Sequence, residues 1–347
     1  MTLIYFILIL GATIFVHEFG HFLFAKLANI YVYEFSIGMG KKIFSFKSKK
    51  GETEYNIRLI PLGGFVRLAG EDVSDGDTIS KDRLLGNKGF WQRFFTMFAG
   101  AGFNFLFAFI VLFMTALIWG STSNKPILGN VPNDYPAYQA GLREGDKIIY
   151  VNDKKIKTWD DVTWELSLNN GKSMEFVVTD QNNKEKKVTV KPLEENDENG
   201  DITYKYGVGL KTVKLTGIAN SFNYAVVKSG SLFKMMFRTL GSLFTGGVSV
   251  NDLSGPVGIY SVVDSQAKAG IASLLYLVAF LSINVGVINL IPFPAFDGGR
   301  ILFLFIEKIK GSPVDPKVEN MIHNIGFFLL LGLMIYVTFN DIIKLFR

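Results

Sequence analysis

Four runs of nearly unbroken apolar residues stand out from an otherwise mixed chain, at 2–25, 94–119, about 271–291 and 320–343. At 1.5 Å per helical residue each covers most or all of the ~30 Å apolar layer of a bilayer. No Lys or Arg precedes Lys26, and no small-residue cleavage site follows the first run, so it reads as a retained span. Between the first two runs the period changes to two. Phe44–Lys47 and Glu54–Ile60 alternate around a turn at Lys49-Lys50-Gly51-Glu52, and Gly63-Gly64 leads into Phe65–Leu68. This predicts a small sheet lying against the membrane, with an edge that an extended peptide could join. Residues 125–215 carry alternating strands and turn signals, and 216–250 read as an amphipathic surface stretch. Leu253–Gly258 reads as a tight turn leading into the third span, and 300–319 as a charged, partly amphipathic cytoplasmic segment.

The predicted architecture is an α-helical membrane protein of about four transmembrane helices, with a membrane-associated β-hairpin sheet and an inserted α+β domain. Its parts are 1–120, 125–215 and 216–347. Composition agrees: 49% of the 347 residues are hydrophobic, 19% are charged, and mean hydropathy is +0.27. The many Lys and Arg between positions 26 and 93 place that loop in the cytoplasm, and both termini and residues 120 onward outside. With no cysteine, thiolate metal sites, thiol nucleophiles and disulfides are excluded. No basic cluster interleaved with aromatics suggests nucleic acid.

The chemistry enters inside the first span. His17-Glu18-Phe19-Gly20-His21 is an HExxH run, and only three histidines exist in the whole chain. Positions i and i+4 share a helix face, so His17 and His21 can hold one zinc ion, and Glu18 can take a proton from water activated there. A charged acid at membrane depth costs roughly 2.5–3.5 kcal/mol, and a metal would offset it. The third span ends in Asn289-Leu290-Ile291-Pro292-Phe293-Pro294-Ala295-Phe296-Asp297-Gly298-Gly299, with Asn284 inside the span. Two alternate prolines break the helix there, and Asp297 is an apt third ligand that leaves a position open for water. Two alternatives stand: Asp297 as a helix cap, and His323 as the third ligand.

Ala140-Gly141-Leu142-Arg143-Glu144-Gly145-Asp146-Lys147-Ile148-Ile149-Tyr150-Val151-Asn152 resembles the PDZ pattern of bacterial proteases, AGLxxGDxIxxVN, with Tyr206–Gly209 as the candidate peptide-carboxylate loop. With HEFGH at one end and NLIPFPAFDGG at the other, the chain resembles the bacterial site-2 proteases of the RseP type, over essentially its whole length. The resemblance implies an intramembrane zinc endopeptidase in the bacterial cytoplasmic membrane, with its PDZ domain extracytoplasmic. It implies Zn2+ on His17, His21 and Asp297, Glu18 as general base, and Asn284 and Asn289 positioning substrate. Substrates would be single-pass transmembrane proteins, such as anti-sigma factors or signal-peptide remnants, and the PDZ domain could take peptide termini. Phe296 departs from the Leu usual before this Asp, and there is room for one PDZ domain only. Three rival readings predict different chemistry: a membrane-anchored protease of water-exposed peptides, a peptide-binding scaffold with a structural metal, and a non-haem iron enzyme.

Overall fold

In the computed structural model, described for residues 1–47, 51–71, 79–169, 171–196, 202–249, 251 and 253–345, all four apolar runs are helical. The chain divides into two compact units, Met1–Val111 with Ser249–Arg347, and Leu112–Val248.

The first unit opens with α1 (Thr2–Leu27), which Ala28 and Asn29 close by hydrogen bonds back to Phe24 and Lys26. Strands β1 (Val32–Lys47) and β2 (Glu54–Leu68) follow, both longer than the alternation suggested. Residues 34–37 of β1 pair on one side with Glu54–Ile57 and on the other with Gly64–Arg67. The two strands therefore fold on themselves. Gly38, Gly40 and Gly63 supply the left-handed backbone at the bends, with φ of 86°, 83° and 100°. The expected turn at 49–52 lies partly outside the described residues. The buried Glu34 carboxylate is compensated inside the sheet by Asn56 Nδ2 at 2.6 Å, by Arg58 Nη2 at 2.5 Å and by the Ser36 hydroxyl.

Helix α2 (Phe90–Trp119) begins four residues earlier than hydropathy indicates. Gln92 explains this: its Oε1 accepts the Gly89 N–H at 3.1 Å and so satisfies a donor at the helix start.

The second unit is β-rich. After β3 (Ser121–Thr122), β4 (Leu128–Asn130) and α3 (Pro136–Gln139) come β5 (Lys147–Val151), β6 (Lys154–Lys155) and α4 (Trp159–Leu168). Strands β7 (Met174–Thr179), β8 (Glu185–Val190), β9 (Leu193–Asn196), β10 (Ile202–Lys205), β11 (Gly209–Leu210) and β12 (Lys214–Leu215) complete it before α5 (Ile218–Thr245). One sheet runs β6-β5-β7-β8, and β4 pairs with β11, β3 with β12 and β9 with β10. Strict alternation in β7 sends Met174, Phe176 and Val178 into a core shared with Leu128, Leu142, Ile148 and Val151.

The chain then returns to the first unit. The stretch before the third span is not only a turn: α6 (Pro256–Ala269) is a helix of 14 residues. Pro256 occupies its first turn, Gly270 at φ 108° ends it, and Asp341 Oδ2 accepts the Gly258 N–H at 2.8 Å. It is too polar to register as a span, and hydropathy alone passes over it. Helices α7 (Ile271–Leu290), α8 (Asp297–Lys310) and α9 (Pro316–Leu345) finish the fold.

Two apolar clusters hold this unit together. Phe6 and Ile9 of α1 pack on Val263 of α6 and on Leu274, Leu277 and Leu281 of α7. At the other end Ala25, Val32, Leu68, Met97 and Leu304 join α1, the sheet, α2 and α8. Among the described residues four helices are long and apolar enough to cross a membrane, and Phe328, Ile335 and Phe339 of α9 stay exposed. Such outward apolar side chains suit lipid as solvent.

Candidate metal centre

Helix α1 places His17 and His21 one turn apart, with ring centroids 4.8 Å apart and their Nε2 atoms at 3.1 Å. Asp297 arrives from 276 positions further along the chain. Its Oδ2 lies 3.2 Å from both Nε2 atoms. The loop after α7 makes this meeting possible. An added Cβ at Gly298 would stand 2.2 Å from Ile291 O, and one at Gly299 2.5 Å from Phe293 O. Only glycine lets the backbone double back so closely behind the two prolines.

These three side chains form the one group of His and acidic residues, among the described residues, arranged to hold a metal ion. A tetrahedral ion with bonds of roughly 2.0–2.1 Å sets its ligand atoms about 3.3 Å apart, close to the spacing found here. Asp297 Oδ2 is buried and receives no hydrogen bond. A buried carboxylate oxygen 3.2 Å from two imidazole Nε2 atoms is a donor set that a cation would satisfy. The cap alternative fails, because Phe296 is the cap residue of α8 and no side chain bonds there. His323 is engaged elsewhere: its Nδ1 accepts the Ala295 N–H at 3.0 Å, bracing the loop that carries Asp297.

The face of α2 opposite the histidines completes the site. Thr96, Gly100 and Asn104 recur every four residues, and so line one side of the helix. The Thr96 carbonyl lies 2.8 Å from His21 Nδ1. A carbonyl only accepts, so His21 carries its proton on Nδ1 and turns a bare Nε2 lone pair toward Asp297. Gly100 leaves room for both rings, and Asn104 Nδ2 lies 3.3 Å from His17 Nδ1. The apolar pattern of the second span does not by itself mark Thr96, Gly100 or Asn104 as site residues. The signal for Asn104 was its isolation between Phe103 and Phe105 in an apolar span.

A cavity opens on this centre, lined by His17, Glu18, His21, Asn289, Asp297 and Arg300 among others. Glu71 shares it and ion-pairs with Arg300. Gly64 of β2 approaches Glu18 so closely that a Cβ there would be 3.4 Å from Glu18 Cγ. Asn284 is half-buried in α7 and is not among the cavity's lining residues. The structure thus brings together His17, Glu18, His21, Asn289 and Asp297, and leaves Asn284 apart.

The model of peptidase family M50 matches residues 5–333. The chain belongs to peptidase family M50, the site-2 proteases. This M50 peptidase is 36% identical over 422 aligned residues to the Regulator of sigma-W protease RasP of Bacillus subtilis (strain 168), covering 99% of each chain. It is 35% identical to Zinc metalloprotease RasP of Bacillus licheniformis, with 99% of each covered, and 34% identical to that of Geobacillus kaustophilus (strain HTA426), with 99% and 98% covered. The M50 peptidase is a membrane-embedded metalloprotease, and its cofactor is zinc.

Proposed function

We propose that the M50 peptidase hydrolyses peptide bonds of single-pass membrane proteins within the bilayer, using zinc held by His17, His21 and Asp297. The observation that carries this reading is the convergence of His17 Nε2, His21 Nε2 and the unpartnered Asp297 Oδ2 on one point. Zinc bound there supplies Lewis acidity, drawing down the pKa of water toward ~7 and polarising a carbonyl. The chain's own residues do the rest. Glu18 accepts the proton from the attacking water and returns it to the leaving amine. Asn289, which lines the same cavity, holds the substrate backbone by its amide. A substrate helix must unwind first, because its carbonyls are already hydrogen-bonded. The Gly64–Arg67 segment of β2, passing close to Glu18, is placed to receive the unwound strand by edge pairing.

In this reading residues 1–120 and 216–347 form the protease core of a multi-pass protein of the bacterial cytoplasmic membrane. Residues 125–215 are an extracytoplasmic PDZ domain that admits trimmed single-pass proteins and excludes intact ones. The pocket beside Tyr206–Gly209, bounded by Asn130, Pro132 and Tyr135, is the place for a peptide terminus. Anti-sigma factors or signal-peptide remnants fit the substrate class, in keeping with the sigma-W regulator among the relatives.

The test is zinc content together with cleavage of a reconstituted single-pass substrate. Glu18→Gln should keep the metal and lose turnover, Asp297→Ala should lose both, and His323→Ala should retain zinc. Turnover by Glu18→Gln, or full zinc in Asp297→Ala, would overturn the reading.

A further inference from the structure

We infer that Asn104 is a positioning residue that fixes the proton of His17 on Nδ1, and does so with its amide oxygen turned toward the ring. This rests on the proposed ligand set. A neutral imidazole has one N–H and one lone pair, so a ring that gives Nε2 to a metal must carry its proton on Nδ1 and needs an acceptor there. His21 has one in the Thr96 carbonyl. His17 meets Asn104 instead, with Nδ2 at 3.3 Å from its Nδ1. An NH2 group in that place demands a bare Nδ1 and forces the proton onto Nε2, where it would point at Asp297 and His21.

The surrounding hydrogen bonds favour the opposite amide. Asn104 is fully buried, so an unmatched polar atom there is costly. Ser282 of α7 faces it with a single hydroxyl proton and two acceptors, Asn104 O at 3.1 Å and Asn104 Oδ1 at 3.4 Å. One proton cannot serve both well. Rotating the amide by 180° exchanges its oxygen and nitrogen in the same space. Oδ1 then accepts His17 Nδ1–H, Nδ2 donates to Ser282 Oγ, and Ser282 Oγ–H donates to Asn104 O. His17 Nδ1, Asn104 Oδ1, Ser282 Oγ and the Asn104 carbonyl then each have a matched partner. The chain of bonds ties α1, α2 and α7 to the orientation of one imidazole.

The experiment measures zinc affinity by chelator competition on the full-length protein in detergent, for Asn104→Asp, Asn104→Leu and His17→Ala. Aspartate has the shape of asparagine but can only accept, so Asn104→Asp should bind zinc within about threefold of wild type. Asn104→Leu should bind roughly 10–100-fold more weakly, the usual loss when such a partner is removed. Selective 15N labelling of the three histidines gives a second readout, since a purely structural asparagine would not set a tautomer. The His17 Nδ1–H signal should persist in zinc-loaded wild type and Asn104→Asp. Equal weakening by Asp and Leu, or wild-type affinity in Asn104→Leu, overturns the role of Asn104. Wild-type affinity in His17→Ala would instead overturn the ligand assignment beneath it.

Discussion

The backbone of Gly100 lies directly against the His21 imidazole: a Cβ added at position 100 would stand 2.3 Å from His21 Nε2, and 2.8 Å from His17 Nε2. Helix α2 thus reaches the Nε2 atoms of both α1 imidazoles only because this residue has no side chain. Across the same contact, a Cβ at Gly20 would meet Ala99 O at 2.4 Å. If these imidazoles hold zinc as proposed, Gly100→Ala should lower zinc affinity by at least about tenfold, because the new methyl must displace a ring from its place beside Asp297. The exchange also gains about 1 kcal/mol of helix propensity, so the fold should survive. Wild-type zinc binding in a folded Gly100→Ala protein would mean that the rings do not work in the positions described.

Some of this centre was legible in the sequence, for physical reasons. The stacking of His17 on His21 follows from helical spacing, and the broken backbone around Pro292 and Pro294 advertised Asp297. The remaining partners were hidden. The Thr96 acceptor is a main-chain carbonyl, which no residue type encodes, and the bracing role of His323 depends on where a distant loop folds. In the sheet, alternation marked the strands, but the double pairing of residues 34–37 depends on glycine bends whose direction the pattern does not carry. Helix α6 escaped because its moderate polarity looks like a loop between two far more apolar neighbours.

Ala295 adopts φ 80°, a left-handed conformation that costs an L-residue roughly 1–2 kcal/mol. Its N–H is held by His323, and α9 closes on the neighbouring Pro294 so tightly that a Cβ on Gly326 would be 2.4 Å from Pro294 Cβ. Ala295→Gly should therefore leave thermal stability equal or raise it by up to about 1 kcal/mol, since relief of strain exceeds or matches the added freedom of the unfolded chain. Ala295→Val should lower it by at least about 1 kcal/mol, a β-branched residue being worst suited to this backbone. A more stable valine variant in thermal denaturation would show that the loop does not store this strain.

The link between the end of α1 and the start of β2 should be acid-sensitive. Glu52 bonds Arg83 at 2.6 and 2.7 Å and Lys26 Nζ at 2.7 Å. The Arg83 hydrogen bond does most to lower its carboxyl, partial burial opposes, and Lys26 adds to the lowering, leaving the pKa at about 2. An unfolded glutamate titrates near 4.3, so the folded state binds fewer protons between the two values. The contribution of this cluster is therefore fully present above about pH 4.3 and is lost as pH falls toward about 2. The difference in melting temperature between wild type and Glu52→Gln should be constant at neutral pH and shrink across that window. A difference that grows on acidification would have the wrong sign for this linkage.

Asp161 joins local capping to tertiary packing in the second unit. Its carboxylate accepts the Thr158 and Lys157 N–H groups at 3.1 Å, while the Asp161 N–H donates to Thr158 Oγ1 at 3.3 Å, a reciprocal capping box at the start of α4. The other oxygen takes Lys234 Nζ at 2.6 Å and Arg238 Nη1 at 3.0 Å from α5. Burial alone would raise this carboxyl, but the Lys234 hydrogen bond, the backbone donors and the Lys234 charge outweigh it and hold the pKa below the ordinary range. Asp161→Ala removes the cap and the anchor of α5 together, and should cost about 1–3 kcal/mol. Asp161→Asn keeps the oxygen that can accept one backbone bond but loses the charge, and should fall between. The measurement is amide exchange: in Asp161→Ala, protection should drop in both α4 and α5, whereas Lys234→Ala should loosen α5 and leave the start of α4 protected. Unchanged exchange in α5 for both variants would separate the two helices energetically and leave Asp161 as a local cap only.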